Sequence, residues 1–192
     1  MTRLLMITAL LCLAVSPAAA ELLISEVFYD HTGSDSPFEW IEITNTSAIS
    51  SKTTDLTGYI LAWGGTDYSY GQHVITGVIG DCSTFLVGGP SSDLENGDPF
   101  GFSEAVDFSP DIQNSGSTAD AVALFAPGAN VLTDTPIDAV IYGGANTNGL
   151  IDETGLPGAV DVADAPAGFS IARTSLAGDW VVTDTIVPYD HF

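Results

Sequence analysis

The chain has 192 residues, enough for one self-sufficient domain with small appendages. Three lysines and arginines stand against 25 aspartates and glutamates, a formal net charge of -22. A surface this acidic repels phosphate backbones and anionic lipid, so nucleic-acid binding is excluded as an expectation.

Residues 1–20 read as a secretory signal peptide. Arg3 opens it, Leu4 to Val15 is apolar, and Ala18, Ala19 and Ala20 form the small-residue exit. The apolar run is too short for a stable transmembrane anchor, and Leu11 before Cys12 does not suit lipid attachment. Cleavage after Ala20 leaves a domain of residues 21–192, expected to be secreted to an extracellular or periplasmic space. That domain keeps a single cysteine, Cys82, and therefore no internal disulfide. A small core residue is the simplest role for it.

From Glu21 onward the hydrophobic period is two, and glycine and proline punctuate it densely. The predicted strands are Leu22–Tyr29, Glu39–Asn45, Tyr59–Trp63, His73–Ile79 and Thr84–Val87. They continue with Ala119–Phe125, Val131–Leu132 running on to Ala139–Tyr142, Ser170–Arg173 and Trp180–Thr183. Eight or nine short strands with no helical stripe indicate an all-β sandwich or barrel. Ala126 to Asn130, with Pro127 and Gly128 inside it, reads as a hairpin turn. Pro90–Ser117 and Ala145–Gly168 are long, polar and without strand character, so each is a functional or a mobile loop.

The first two strands carry acids among apolar residues. Alternation puts Ile24, Glu26 and Phe28 on one face of the first strand. In the second it sends Glu39, Ile41 and Ile43 one way and Trp40, Glu42 and Thr44 the other. A buried carboxylate needs a partner. Arg173, within the apolar run "FSIARTS", is the only arginine after the signal segment. A structural ion pair of Arg173 with Glu26, Glu39 or Glu42 is the resulting expectation.

Three stretches, Ile24 to Val27, Glu39 to Asn45 and Asp55 to Tyr59, resemble the opening strands and turn of lamin tail domains of the secreted bacterial kind. The run from Asn114 to Gly143 is similar to the paired strands of that family, and Phe169 to Val182 to its closing elements. The resemblance spans most of residues 22–183 and implies an immunoglobulin-like β-sandwich. It also implies a non-catalytic extracellular module with a binding, adhesive or structural role. The chain has no heptad rod, basic localisation run or prenylation box, so a nuclear filament role is not implied.

Enzymatic readings find little. His31, His73 and His191 have no metal-site spacing, and there is no nucleophile elbow or phosphate-binding glycine loop. Glu39 and Glu42 point to opposite faces of one strand, which does not suit a glycosidase pair. An unusual extracellular hydrolase remains the alternative. No cofactor is required, although calcium is a candidate ligand because hard cations take several oxygens. Asp93, Glu95 and Asp98 form the best local cluster for it, and Asp30 with Asp35 a second. Trp63, Tyr68 and Tyr70 in "WGGTDYSYG" form a candidate aromatic platform for a glycan or an extracellular protein.

Overall fold

The computed structural model describes residues 22–47, 53–89, 101–175 and 179–184. These residues are all-β, with twelve strands and no helix. In chain order the strands are β1 (Leu22–Phe28), β2 (Trp40–Asn45), β3 (Thr53–Asp55), β4 (Ile60–Gly64), β5 (Gly71–Val74) and β6 (Val78–Gly80). Then come β7 (Ser83–Gly88), β8 (Glu104–Ala105), β9 (Ala119–Phe125), β10 (Asp138–Gly143), β11 (Ser170–Arg173) and β12 (Trp180–Thr183). A six-stranded sheet runs β12-β11-β1-β2-β7-β8, a four-stranded sheet runs β10-β9-β4-β5, and β3 pairs with β6. Every neighbouring pair is antiparallel except β7 and β8.

The larger two sheets share one core. Ile24, Val27, Ile41, Ile43, Val87 and Ile171 reach into it from the six-stranded sheet, and Leu61, Trp63, Val122, Leu124, Val140 and Tyr142 from the four-stranded one. Period-two alternation sorts these residues inward except within β1, where Ile24 and Val27 are three apart. The outward face of the four-stranded sheet is also covered. Ala119, Ala121 and Ala123 alternate along β9 and pack with Phe125, Ile141 and Leu150 in a second core, against which Val131, Ile151 and Val160 lie. Their small side chains let the loops rest close to the sheet. The predicted loop 145–168 is thus a cover over β9 and β10, hydrogen-bonded along the edge of β10 through Asp161 and Val162.

Alternation fails once, in β1. Ile24 lies opposite Ile43, but Glu26 lies opposite Glu42, so Ser25 is an extra residue, a β-bulge. The bulge separates Ile24 from the face of Glu26 and Phe28. Ile24 and Val27 both enter the core, while Phe28 packs with Trp40 and Leu86 on the opposite face of the sheet. Glu26 and Glu42 therefore meet side by side, both fully buried. Ser25 Oγ donates to Glu42 Oε1 at 2.6 Å, Thr44 Oγ1 donates to Ser25 Oγ at 2.8 Å, and Ser170 Oγ donates to Glu26.

Other strand boundaries also depart from expectation. The predicted strand His73–Ile79 splits into β5 and β6 at Gly77, whose φ is 152° and where a Cβ would stand 2.8 Å from the Phe85 ring. Val131 and Leu132 leave the predicted strand for a turn. The short strands β3 and β8 had no signal of their own. Cys82 is exposed in the turn between β6 and β7 rather than buried, at a φ of 46°.

Candidate functional site

Residues 110–115 cross one end of the two large sheets as a strap, and buried side chains from several strands hold it there. Trp63 Nε1, on β4, donates to the carbonyls of Pro110 (3.2 Å) and Asp111 (3.1 Å). The Ile112 N–H donates to both carboxyl oxygens of Glu39, each at 3.0 Å, just ahead of β2. Tyr142 Oη, on β10, donates to the Gln113 carbonyl at 2.5 Å, and the Ser115 N–H donates to Asp120 Oδ2, on β9, at 2.5 Å. Gln113 Oε1 in turn accepts from the Gly65 N–H at 2.6 Å. A buried polar group needs a partner. Here a loop backbone supplies the partners, and the loop gains a fixed shape from them.

The electrostatics follow from that burial. Glu39 is only 2% exposed. Burial pushes its carboxyl up to about 9; the Ile112 N–H opposes the shift and the charges of Asp111, Asp35 and Asp107 reinforce it. Burial likewise raises Asp120, against the Ser115 N–H, and raises the Tyr142 phenol. Beneath the strap the Tyr29 ring stacks on Tyr142 at 4.4 Å. Tyr29 Oη donates to Asp164 at 3.0 Å and accepts from the Ala165 N–H at 2.7 Å, which ties the 164–165 segment to the same end.

Above the strap lies an open cleft of about 240 Å³, lined by Asp35, Tyr70, Asp111, Gln113, Asn114 and Ser115. Carboxylates, amides and one phenol line it, and Tyr70 is half exposed. Asp35 Oδ1 caps the first loop by accepting from the His31 N–H at 3.1 Å. Burial raises both Asp30 and Asp35, and each is raised further by a neighbouring carboxylate: Asp30 by Asp35, and Asp35 by Asp111.

The aromatic platform does not form. Trp63 is buried in the core between the sheets, and Tyr68 in the second core on the other side of β4, its hydroxyl donating to the Ile151 carbonyl at 2.6 Å. Only Tyr70 reaches solvent in the cleft. The reason is again local: the Asp67 turn that follows β4 folds Tyr68 back against Phe125, at 5.5 Å between rings. Among the described residues no group of three or more His, Cys, Asp or Glu side chains is arranged to hold a metal ion. Asp93, Glu95 and Asp98 lie outside the described residues, as does His191.

Arg173 is held by a carboxylate, but it is Asp138. Nη2 lies 2.7 Å from Asp138 Oδ1, Nε donates to the Ile24 carbonyl at 2.8 Å, and the guanidinium sits 4.8 Å over the Trp180 ring. Asp138 Oδ2 accepts from the Ile24 N–H at 2.7 Å. The bulge explains why Glu26 is not the partner. Glu26 and Glu42 belong to the far face of the sheet and Glu39 to the strap, whereas Arg173 points between the sheets toward β10. Burial raises Asp138 to about 6 even though Arg173 and the Ile24 N–H both pull it down. Asp138 and Asp120 carried a readable signal, an acid within or beside a wholly apolar strand. Gln113 and Tyr142 had none, because their roles depend on where the strap crosses.

His73 on β5 approaches Glu104 on β8, with Nε2 3.1 Å from Oε1, close enough for an ion pair although not aligned as a hydrogen bond. Glu104 also accepts from the Thr76 N–H and Oγ1, at 2.9 and 3.0 Å. Compared with family models, curated proteins and solved structures, the chain matches none.

Proposed function

We propose that the chain is an exported, non-catalytic binding module, an immunoglobulin-like β-sandwich of the lamin-tail type. Its strap end engages an extracellular protein or glycan. The observation that carries this reading is the fixing of residues 110–115 by side chains of β4, β9 and β10 and by Glu39. A loop already held in one shape loses little conformational entropy on binding. What it displays, Asp111, Asn114, Ser115 and the neighbouring Asp35 and Tyr70, suits hydroxyls, amides or cationic groups.

The hydrolase alternative has one observation in its favour, the raised carboxyl of Glu39 close to several aspartates. Against it, Glu39 is buried beneath the strap and holds the Ile112 N–H with both oxygens. It would have to abandon that bond to meet a substrate.

A screen of the residue 21–192 protein against glycans and extracellular proteins, with calcium, magnesium or sodium chloride alone, tests the reading. A ligand of this face should lose affinity by about tenfold on Tyr70→Ala or Asp111→Asn and be indifferent to Glu39→Gln. Ligands that ignore both cleft variants, or a hydrolytic activity abolished by Glu39→Gln, would replace the proposal. A melting temperature raised by calcium beyond the effect of magnesium and salt would add an ion to the site.

A further inference from the structure

We propose that a second cleft, between Tyr68 and the turn carrying Val131 and Leu132, docks a segment of a basic protein in which a branched aliphatic side chain lies between lysines or arginines. This surface lies over the outward face of the four-stranded sheet, is distinct from the strap, and does not depend on the reading above.

The cleft has a volume of about 100 Å³. Tyr68 and Leu150 form its buried floor, Val131 and Ile151 are half-buried in its walls, and Leu132 stands 58% exposed at its rim. Leu156, in the same hairpin as Ile151, is 65% exposed. The hydrogen bond from Tyr68 Oη to the Ile151 carbonyl fixes floor against wall, so the depression is preformed. Large apolar side chains left open around a preformed depression characterise a surface that buries something.

The rim says what that something is. Asp67 is part of the lining, Asp134 follows Leu132 by two residues, and Asp152 and Glu153 directly follow Ile151. The charges of Asp152, Asp161 and Glu153 add to burial in raising the Tyr68 phenol, which places a negative field over the floor. Among the described residues the only lysine or arginine is Arg173; it is 9% exposed, engaged by Asp138 and within electrostatic reach of Asp161, so the one described cation is already committed inside the core. An apolar anchor with flanking positive charges complements both halves of the site. A second copy of the chain does not, because it would set one carboxylate rim against another, with 25 acids and three basic residues in each copy. An anionic membrane is repelled in the same way.

The test uses the residue 21–192 protein and two synthetic peptides, one with a leucine between two lysines on each side and one with alanine in its place. The leucine peptide should bind about tenfold more tightly than the alanine peptide. Amide shifts should centre on Tyr68, Leu132 and Ile151. Leu132→Ser should erase the difference between the peptides, and Glu153→Lys should weaken both; an unchanged melting temperature shows that each variant is folded. Equal affinities for the two peptides would reduce the interaction to bulk charge and overturn the proposal. So would failure to bind either peptide, indifference to Leu132→Ser, or concentration-dependent self-association through this face.

Discussion

The two outer strands of the four-stranded sheet are tied to the facing sheet in opposite ways. At β10 the tie is Asp138 with Arg173, buried, with both backbone groups of Ile24 drawn into the same cluster. At β5 it is His73 with Glu104, partly open to solvent, with the Thr76 N–H and hydroxyl sharing the carboxylate. The first is part of the core and the second is a latch on its border. By general electrostatics, burial and the number of groups sharing a charge should count for more than the ion-pair distance in how much each edge depends on its pair.

The comparison fails first, if it fails, at Arg173. Arg173→Met should destabilise the protein by about 3–5 kcal/mol in urea unfolding, because Asp138 would be left buried without its counter-charge. Adding Asp138→Leu should recover part of that loss. If Arg173→Met costs no more than a change at His73, the distinction between the edges is wrong.

A pH series comes next in size. Glu39 and Asp138 both have folded values raised above their ordinary ones, to about 9 and about 6. The stability each contributes is fully present below its unfolded value and is lost as pH rises through the folded one. The native protein should therefore weaken from about pH 4.5 upward, with Glu39 contributing at most about 1.4 kcal/mol per pH unit. Glu39→Gln should flatten that slope between pH 6 and 8 while matching the wild type near pH 4. A slope unchanged in Glu39→Gln would mean that the strap holds an ionised carboxylate.

The smallest effect belongs to the latch. His73→Gln should change stability by no more than about 1 kcal/mol, as partly exposed pairs do, and molar salt should shrink even that. Hydrogen exchange at Thr76, whose N–H is held by Glu104, should rise in Glu104→Gln well before any global unfolding. Protection at Thr76 that survives this substitution would deny the latch a role in ordering the β5 border.

Much of the fold was legible because its two main faces follow a strict period of two: Ala119–Phe125, Ser170–Arg173 and Trp180–Thr183 match their predicted spans. The breaks in that period were not legible. Nothing in "LLISEVF" announces that Ser25 stands outside the ladder, and the loss of Glu26 as a partner of Arg173 follows from that one residue. The strap was visible only as a polar stretch, since its partners Glu39, Trp63, Asp120 and Tyr142 are spread over more than a hundred residues. The aromatic reading of "WGGTDYSYG" missed because a tight turn at Asp67 sends neighbouring rings to different cores, and spacing does not encode a turn's direction.

Ser25 also shows how a strand absorbs one surplus residue without losing its frame. Because Ser25 stands outside the ladder, Ile24 and Glu26 face successive residues of β2, and Val27 and Phe28 keep the sides that a strand without it would give them. Deleting Ser25 should therefore leave the register beyond it intact and remove only the hydroxyl that joins Thr44 to Glu42. Pairing Ser25 into the ladder would be the costly change, since it would turn Val27 out of the core and bring Glu26 in.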